Sequence, residues 1–258
     1  MVSKMENIKL KGAKNVRDMG GLTNKEGKKL KEHIFLRADS LDKLNKKDIK
    51  ILKEKYNLAT IIDLRTNKEI EEKPDVKIEN VKYIHIPVFD EGAVGITHDK
   101  KSEEEVLEKV PDMIELYNHM VTDEFCINQL KLIFNEIINT QNHAILFHCT
   151  VGKDRTGIIA MLILSLLDFD METILEDYLY TNIASKKQAN MYYKLVLTLT
   201  KNKDLANKVR KIFIADKEYL ETSVKAINQI HGGVDIFIEN KLGISEEVKN
   251  KLKLELLY

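Results

Sequence analysis

One cysteine and one arginine, six positions apart, stand in the part of the sequence best suited to chemistry. The stretch AILFHCTVGKDRTGIIAMLI covers residues 144–163, with Cys149 after a short apolar run and Arg155 opening a longer one. A buried strand ending at His148, a tight loop and a buried helix would bind an anion, because the first turn of a helix has unpaired N–H groups and a positive dipole end. Gly152 lets the loop curl so that its N–H groups point inwards. Arg155 offers a planar fork that fits two phosphate oxygens.

The thiol of Cys149 lies at the foot of this predicted cradle. Helix N-termini and neighbouring cations favour the thiolate form of cysteine, which is the nucleophilic form. The segment therefore predicts a nucleophile and a bound phosphate side by side, with Arg155 close to both. Cys126 differs, because it shares an apolar stripe with Leu130, Ile133 and Ile137 and is predicted to pack in the core.

Strands and helices alternate along the chain around this segment. Branched and aromatic residues predict strands over 34–38, 58–64, 82–88 and 144–148. Helical patterns lie between them: one follows an Asn45 cap, another covers 125–139, and S/T-x-x-E capping boxes start at Thr66 and Ser102. Beyond Asp168 the pattern is helical, with a stop at Gly243 and a new start capped by Ser245. We expect an α/β fold with a central, mostly parallel sheet flanked by helices and a helical C-terminal part.

Composition excludes several classes of protein. The 41 basic residues balance the 41 acidic residues, so a large electrostatic footprint for nucleic acid is not expected. With two cysteines, a disulfide scaffold and a cysteine-rich zinc site are excluded. The longest apolar run, residues 158–167, has about half the length of a membrane span, and the first residues do not form a secretory leader. A cytoplasmic location without an integral membrane segment is the expectation, although export without a leader stays open.

Residues 148–157, HCTVGKDRTG, resemble the HCxxGxxR[ST]G signature loop of cysteine-dependent protein tyrosine phosphatases. The GKDRTG form is similar to that of bacterial and fungal tyrosine phosphatases of atypical dual-specificity type, some of which also act on phosphoinositides. Further motifs of that branch are matched in order by NVRDMGG at 15–21, FLRADSL at 35–41, IDLRT at 62–66 with Glu69, HGG at 231–233 and LGIS at 242–245. The resemblance covers most of the chain and implies a single phosphatase domain over 1–258.

The resemblance also implies a role for each residue of the loop. Cys149 would attack phosphorus and form a phosphocysteine, while Arg155 and the N–H groups of residues 150–155 would hold the phosphate oxygens. Those phosphate-binding positions are Thr150, Val151, Gly152, Lys153, Asp154 and Arg155. Thr156 would donate its hydroxyl to the sulfur, and His148 would orient the cysteine. No metal or cofactor is expected, and phosphate or vanadate would bind in the loop.

The general acid has two candidates, Asp154 within the loop and Asp90 after the strand at 82–88, and Asp154 is favoured. The chain contains no tryptophan, so the tryptophan-containing acid loop of the larger tyrosine-specific class is absent. Asp63 and Arg65 either contact the signature loop or tie the end of the strand to the following helix, and the structural role is favoured. Arg17 and Asp18 are also interpreted mainly as structural support. Lys153 either lies near the substrate phosphate, which is favoured, or is a solvated loop lysine.

Two questions stay open at this point. The favoured function is hydrolysis of protein phosphotyrosine, with phosphoinositide hydrolysis and a catalytically inactive phosphate-binding module as alternatives. The basic and apolar segment 186–213 is either an ordinary solvated helical pair or a helical lid that shields the cysteine and attracts anionic substrates.

Overall fold

A computed structural model describes residues 6–90, 112–139 and 143–258 of the chain. The capping box predicted at Ser102 with Glu105 lies outside the described residues. Among the described helices, none is both long enough and apolar enough to cross a lipid bilayer.

The described residues form a six-stranded mixed sheet in the order β1-β2-β3-β6-β4-β5. Its strands are β1 Glu6–Asn7, β2 Arg17–Asp18, β3 Phe35–Ala38, β4 Leu58–Asp63, β5 Lys82–His85 and β6 Ala144–His148. The four strands β3, β6, β4 and β5 pair in parallel, and β1 and β2 add an antiparallel edge. The α/β expectation is confirmed, and the antiparallel edge is new because two-residue strands leave no periodic signal in a sequence.

Helices lie between and after the strands. The first is α1 Lys46–Lys50, which continues into a π-helical turn at Ile51–Lys55. The others are α2 Asn67–Glu72, α3 Met113–Thr122, α4 Glu124–Asn139, α5 Asp154–Leu166, α6 Met171–Thr200, α7 Lys203–Phe213, α8 Lys217–His231, α9 Val234–Asn240 and α10 Glu246–Leu256. The caps predicted at Asn45, Thr66 and Ser245 are confirmed, since each side chain accepts a backbone N–H bond at the start of its helix.

Side chains of the central strands alternate between the two faces of the sheet, as the pleat requires. On β6, Ile145 and Phe147 face the larger core, and Leu146 faces the smaller one. Helix α5 packs in the larger core and is buried over most of its length, as its continuous apolar sequence predicts. Cys126 is fully buried there on α4, so its predicted packing role is confirmed.

Candidate active site

The loop from Cys149 to Lys153 joins the carboxyl end of β6 to the first turn of α5. Strand β6 lies between β3 and β4, so the loop emerges from the middle of the parallel part of the sheet. Cys149 is only 2% exposed, and Arg155, in the first turn of α5, is 7% exposed. The predicted order of strand, loop and helix is confirmed, and the N-terminus of the buried helix, its positive end, follows Cys149 by five residues.

Gly152 adopts a backbone conformation that only glycine takes readily. Its φ is +69°, and a Cβ atom at this position would lie 2.4 Å from the carbonyl oxygen of Ala38. The loop therefore packs directly against the end of β3, where a side chain would clash with main-chain atoms.

The guanidinium of Arg155 is held by an acidic residue that is distant in the sequence. Its Nη1 donates to Glu69 Oε2 at 2.6 Å, and its Nη2 donates to Glu69 Oε1 at 2.8 Å. Nη1 also donates to the carbonyl of Leu64 at 3.3 Å. Burial alone would raise the pKa of Glu69, but the hydrogen bonds and charge of Arg155 outweigh it and lower the pKa to about 2. The hydroxyl of Thr150 also donates to Glu69, so the carboxylate links both ends of the loop.

The N-terminal motif holds the loop from behind. The side-chain amide of Asn15 donates to the carbonyl oxygens of Val151 and Gly152, both at 3.0 Å. Arg37 donates to the same Gly152 carbonyl at 3.1 Å. These hydrogen bonds hold the carbonyl oxygens of Val151 and Gly152 on the outside of the loop. Because carbonyl oxygens repel anions, this orientation keeps them away from a phosphate bound inside the loop.

A buried ion-pair cluster fixes these two supports. Asp177 on α6 accepts a hydrogen bond from Arg17 Nε at 2.9 Å and a second hydrogen bond from Arg37 Nη1. Arg17 also donates to the side-chain oxygen of Asn15 at 2.8 Å. Burial by itself would raise the pKa of Asp177, but the two guanidinium groups outweigh it and lower the pKa. The structural interpretation of Arg17 therefore agrees with its contacts, and Asp18 likewise accepts the backbone N–H groups of Gly20 and His33 at 2.8 Å.

Of the two interpretations of Lys153, a place near the substrate phosphate stays a prediction and the other is wrong. Lys153 is not a solvated loop lysine, because its side chain is fully buried. Its ammonium donates to the carbonyls of Ile212 at 2.6 Å and Ile214 at 3.2 Å, at the carboxyl end of α7, and lies 3.2 Å from Asp154 Oδ1. A cation at this end of a helix satisfies unpaired carbonyls and the negative dipole end. Its described partners are thus carbonyls and a carboxylate, a role that the sequence did not suggest.

The two candidate acids lie in different surroundings. Asp154 Oδ1 accepts a hydrogen bond from the Tyr117 hydroxyl at 2.6 Å, and that hydroxyl lies 2.7 Å from the hydroxyl of Tyr178. Asp154 therefore has a fixed orientation in the first turn of α5, next to Arg155. Asp90 is exposed and is the last residue of the described range 6–90.

The remaining predicted residues form the floor of the site. His148 is fully buried, with Nδ1 3.3 Å from the carbonyl of Cys149 and Nε2 2.9 Å from Asp75 Oδ2. Asp63 accepts bonds from Arg65 and from the Tyr83 hydroxyl, which agrees with structural support. These bonds outweigh burial and lower the pKa of Asp63.

The hydroxyl of Thr156 is buried, and the described part of the chain gives it no hydrogen-bond partner. A hydroxyl in that position is available to a neighbouring sulfur or a bound anion. Its pairing with the sulfur of Cys149 stays a prediction.

Within the described ranges, two clusters have ligand atoms close enough to hold a metal ion. They are Asp63, Asp75 and His148, and His119, Asp123 and Cys126. In the first cluster, Arg65 already supplies a cation, with Nη2 2.6 Å from Asp63 and 2.9 Å from Asp75. In the second, Asp123 caps α4 by accepting the Cys126 N–H. All three carboxylates thus have protein partners.

Sequence reasoning missed Glu69, Asn15, Arg37, Asp177 and Tyr117 as partners of the site. The first three lie within the motifs quoted above, which are the available signal. Glu69 also belongs to the predicted cap at Thr66, and neither pattern indicates that it binds Arg155. Asp177 and Tyr117 carry no local signal, because their partners are more than 30 residues away.

The model of the tyrosine phosphatase family matches residues 8–258. A Cupriavidus necator protein named as a tyrosine-protein phosphatase is 23% identical over 89% of this chain and 82% of its own length. The triple specificity protein phosphatase PtpB of Mycobacterium tuberculosis is 21% identical over 96% of this chain and 98% of its own length. The crystal structure of P. aeruginosa TpbA with phosphotyrosine is 13% identical, covers 88% of this chain and 97% of that one, and has a TM-score of 0.36. The chain therefore belongs to the tyrosine phosphatase family and is an enzyme that acts as a phosphatase.

Proposed function

We propose that this phosphatase hydrolyses phosphate monoesters, with protein phosphotyrosine as its main substrate, through a phosphocysteine on Cys149. One observation carries the proposal: the thiol and the bidentately held guanidinium of Arg155 flank a glycine-containing loop at the N-terminus of a buried helix. Such a loop presents N–H groups and positive charge to the three equatorial oxygens of a transferring phosphoryl group. A thiolate needs no metal ion to act as the nucleophile.

The reaction takes place in two displacements. The sulfur of Cys149 bonds to phosphorus while the ester P–O bond breaks, and a general acid gives the leaving oxygen its proton. Water then attacks phosphorus, the S–P bond breaks and inorganic phosphate leaves. The Thr156 hydroxyl would stabilise the sulfur as it leaves, and the loop N–H groups and Arg155 would hold the oxygens in both steps.

Asp154 is the favoured general acid. Its orientation by Tyr117 and its position beside Arg155 support that role, whereas Asp90 has only its place after β5 in its favour. Asp154→Asn and Asp90→Asn form a matched pair for the test. Loss of Asp154 should slow an alkyl phosphate far more than nitrophenyl phosphate, whose leaving group needs little protonation. A selective loss in the Asp90 variant instead would transfer the role to that residue.

Phosphoinositides are the second substrate class. The family name favours phosphotyrosine, and the relative PtpB, matched over nearly its whole length, is named for triple specificity. Parallel assays of phosphate release from a phosphopeptide panel and a phosphoinositide panel, each with vanadate as inhibitor, distinguish the two. Faster turnover of the lipids would replace the protein assignment.

Intact mass measurement during turnover tests the covalent step. We expect a phosphate adduct on Cys149 after rapid acid quench, retained in Cys126→Ala and lost in Cys149→Ser. Bound phosphopeptide without turnover and without an adduct would instead indicate a binding module.

The lid over residues 186–213 is a further part of the proposal. The contact of Lys153 in the loop with the carbonyls at the carboxyl end of α7 supports this role. Replacement of 186–213 by a short glycine-serine linker should make Cys149 more sensitive to peroxide. Equal oxidation rates in both proteins would refute the shielding role.

A further inference from the structure

The helical hairpin of residues 178–215, which we call the basic hairpin, concentrates positive charge. It contains eight basic residues and one acidic residue, Asp204, a net charge of +7 in a chain whose 41 basic and 41 acidic residues balance. The basic residues are Lys186, Lys187, Lys194, Lys201, Lys203, Lys208, Arg210 and Lys211. The chain as a whole is neutral, but its positive charge is concentrated in this hairpin.

Large apolar side chains are exposed on the same hairpin. Ile183, Met191, Leu195 and Leu199 on α6 are 67%, 56%, 49% and 71% exposed. With Lys187 they form a row in which each residue follows the last by four positions. Because such a row winds round the helix by about 40° per step, Met191, Leu195 and Leu199 lie within about 80° of one another on one face, and Ile183 lies about 80° further round. Four exposed apolar residues in one row differ from the scattered single ones that are normal on a surface.

Exposed lysines border this row. Lys186 and Lys194 each follow a row residue by three positions and are exposed, as is Lys187 within the row. No acidic residue occurs between Asp177 and Asp204. An apolar face bordered by lysines matches the interfacial region of a bilayer, where apolar side chains enter the acyl boundary and lysine stems extend to the head groups.

Hydrogen bonds and ion pairs connect the base of the basic hairpin to the catalytic loop and to the residues that support it. Asn182 donates to the carbonyl of Ala215 and accepts the Ala215 N–H, both at 2.8 Å, which joins the two ends of the hairpin. Lys153 binds the carbonyls at the end of α7, and Asp177, just before the hairpin, pairs with Arg17 and Arg37. From this base the exposed residues of α6 extend to Leu199, roughly 25 Å along the helix, so a surface that binds them stays within that length of the base.

We propose that the exposed row of α6 docks this enzyme on an anionic lipid bilayer. Each lysine close to such a surface raises the partition coefficient about fivefold. A second copy of the chain is a poor occupant, because two surfaces of charge +7 would repel each other. A small free anion would pair with the lysines only, and the apolar row would stay exposed to water. This inference concerns binding, and it does not depend on the substrate or intermediate proposed above.

Co-sedimentation of the full chain with phosphatidylcholine vesicles, with and without phosphatidylserine, tests the proposal. We expect binding only to the vesicles that contain phosphatidylserine. Substitution of Lys186, Lys187 and Lys194 by glutamine should reduce the partition coefficient on the order of 100-fold. The matched control replaces three exposed lysines elsewhere, Lys46, Lys47 and Lys225, with the same change in net charge, and should reduce it far less.

The apolar row is tested separately by Met191→Ser, Leu195→Ser and Leu199→Ser together, with Leu254→Ser, which is 80% exposed on α10, as control. We expect a loss of at least about tenfold in the triple variant and none in the control. The circular dichroism spectrum and the midpoint of urea unfolding should be unchanged in all variants, which verifies folding. If the triple serine variant does not fold, the lysine variants alone decide.

Three results would overturn docking on lipid. They are an absence of vesicle binding, equal binding to uncharged vesicles, and equal losses in the lysine variant and its control. Binding that is lost in the lysine variant but kept in the triple serine variant would refute insertion of the apolar row and leave a purely electrostatic contact.

Discussion

Glu69 is the residue whose substitution tests the site most directly. Its carboxylate binds Arg155 at 2.6 and 2.8 Å, with the two side chains 22% and 9% exposed. Burial raises the pKa of Glu69, but the bonds and charge of Arg155 outweigh it and lower the pKa from 4.5 to about 2. At about 1.4 kcal/mol per pKa unit, the folded protein favours the charged form by ~3 kcal/mol.

Glu69→Gln keeps the shape of the side chain and removes its charge. We expect the free energy of unfolding to fall by about 1–3 kcal/mol at neutral pH, because Arg155 keeps one acceptor but loses its counter-ion. Glu71→Gln is the matched control, since Glu71 is exposed on the same helix α2. Urea unfolding of both variants and the parent chain measures the difference.

The contribution of Glu69 to the free energy of unfolding should depend on pH, in a direction set by its lowered pKa. A carboxyl group whose pKa is lower in the folded state than in the unfolded state stabilises the fold above its unfolded pKa. The contribution of Glu69 should thus be complete above about pH 5 and decline as the pH falls through 4.5 towards 2. The gap between the parent and Glu69→Gln should shrink over that window.

Two results would refute this reasoning. One is a Glu69→Gln variant within about 0.5 kcal/mol of Glu71→Gln at neutral pH, which would make the pair an ordinary surface contact. The other is a gap that stays constant from pH 6 to pH 3, which would mean that the charge of Glu69 plays no part.

Three further substitutions test the supports of the loop. Gly152→Ala should abolish activity, because its Cβ would lie 2.4 Å from a β3 carbonyl oxygen. Gly27→Ala is the control and should retain activity, since Gly27 also has a positive φ, +79°, but open space around it. Phosphate release measures both variants. Lys153→Met should speed amide hydrogen exchange at the end of α7 about tenfold relative to Lys208→Met, because a charged cap of the helix carbonyls is lost. Asp177→Asn should lower the free energy of unfolding by about 3–5 kcal/mol in urea titration, since two buried guanidinium groups lose their counter-charge.

The strand, the loop and the helix of the site could be predicted from the sequence because their signals are local. Residues 144–148 form the predicted strand, and α5 begins at Asp154, one residue before the expected start. An apolar strand, a glycine and a long apolar run specify such a unit without reference to the rest of the chain.

The partners of the loop could not be predicted, because each lies far away in sequence. The local pattern around Glu69 predicts a cap of α2, and the structure confirms that cap. The same carboxylate also binds Arg155, which is 86 residues away in the sequence. Lys153 gave no sign that it would be buried, since a lysine in a loop is ordinarily solvated. Its burial depends on where the end of α7 comes to rest.

The support of Asn15 on the loop has a consequence for how activity arises during synthesis. Asn15 and Gly152 are 137 residues apart, and Asp177 must also be in place to fix the arginines that flank them. Contacts of such long range form only after most of the chain has collapsed, so they are typical of late folding events. A nascent or partly assembled polypeptide would thus carry Cys149 without a formed phosphate cradle, and catalytic competence would report completion of the fold rather than its beginning.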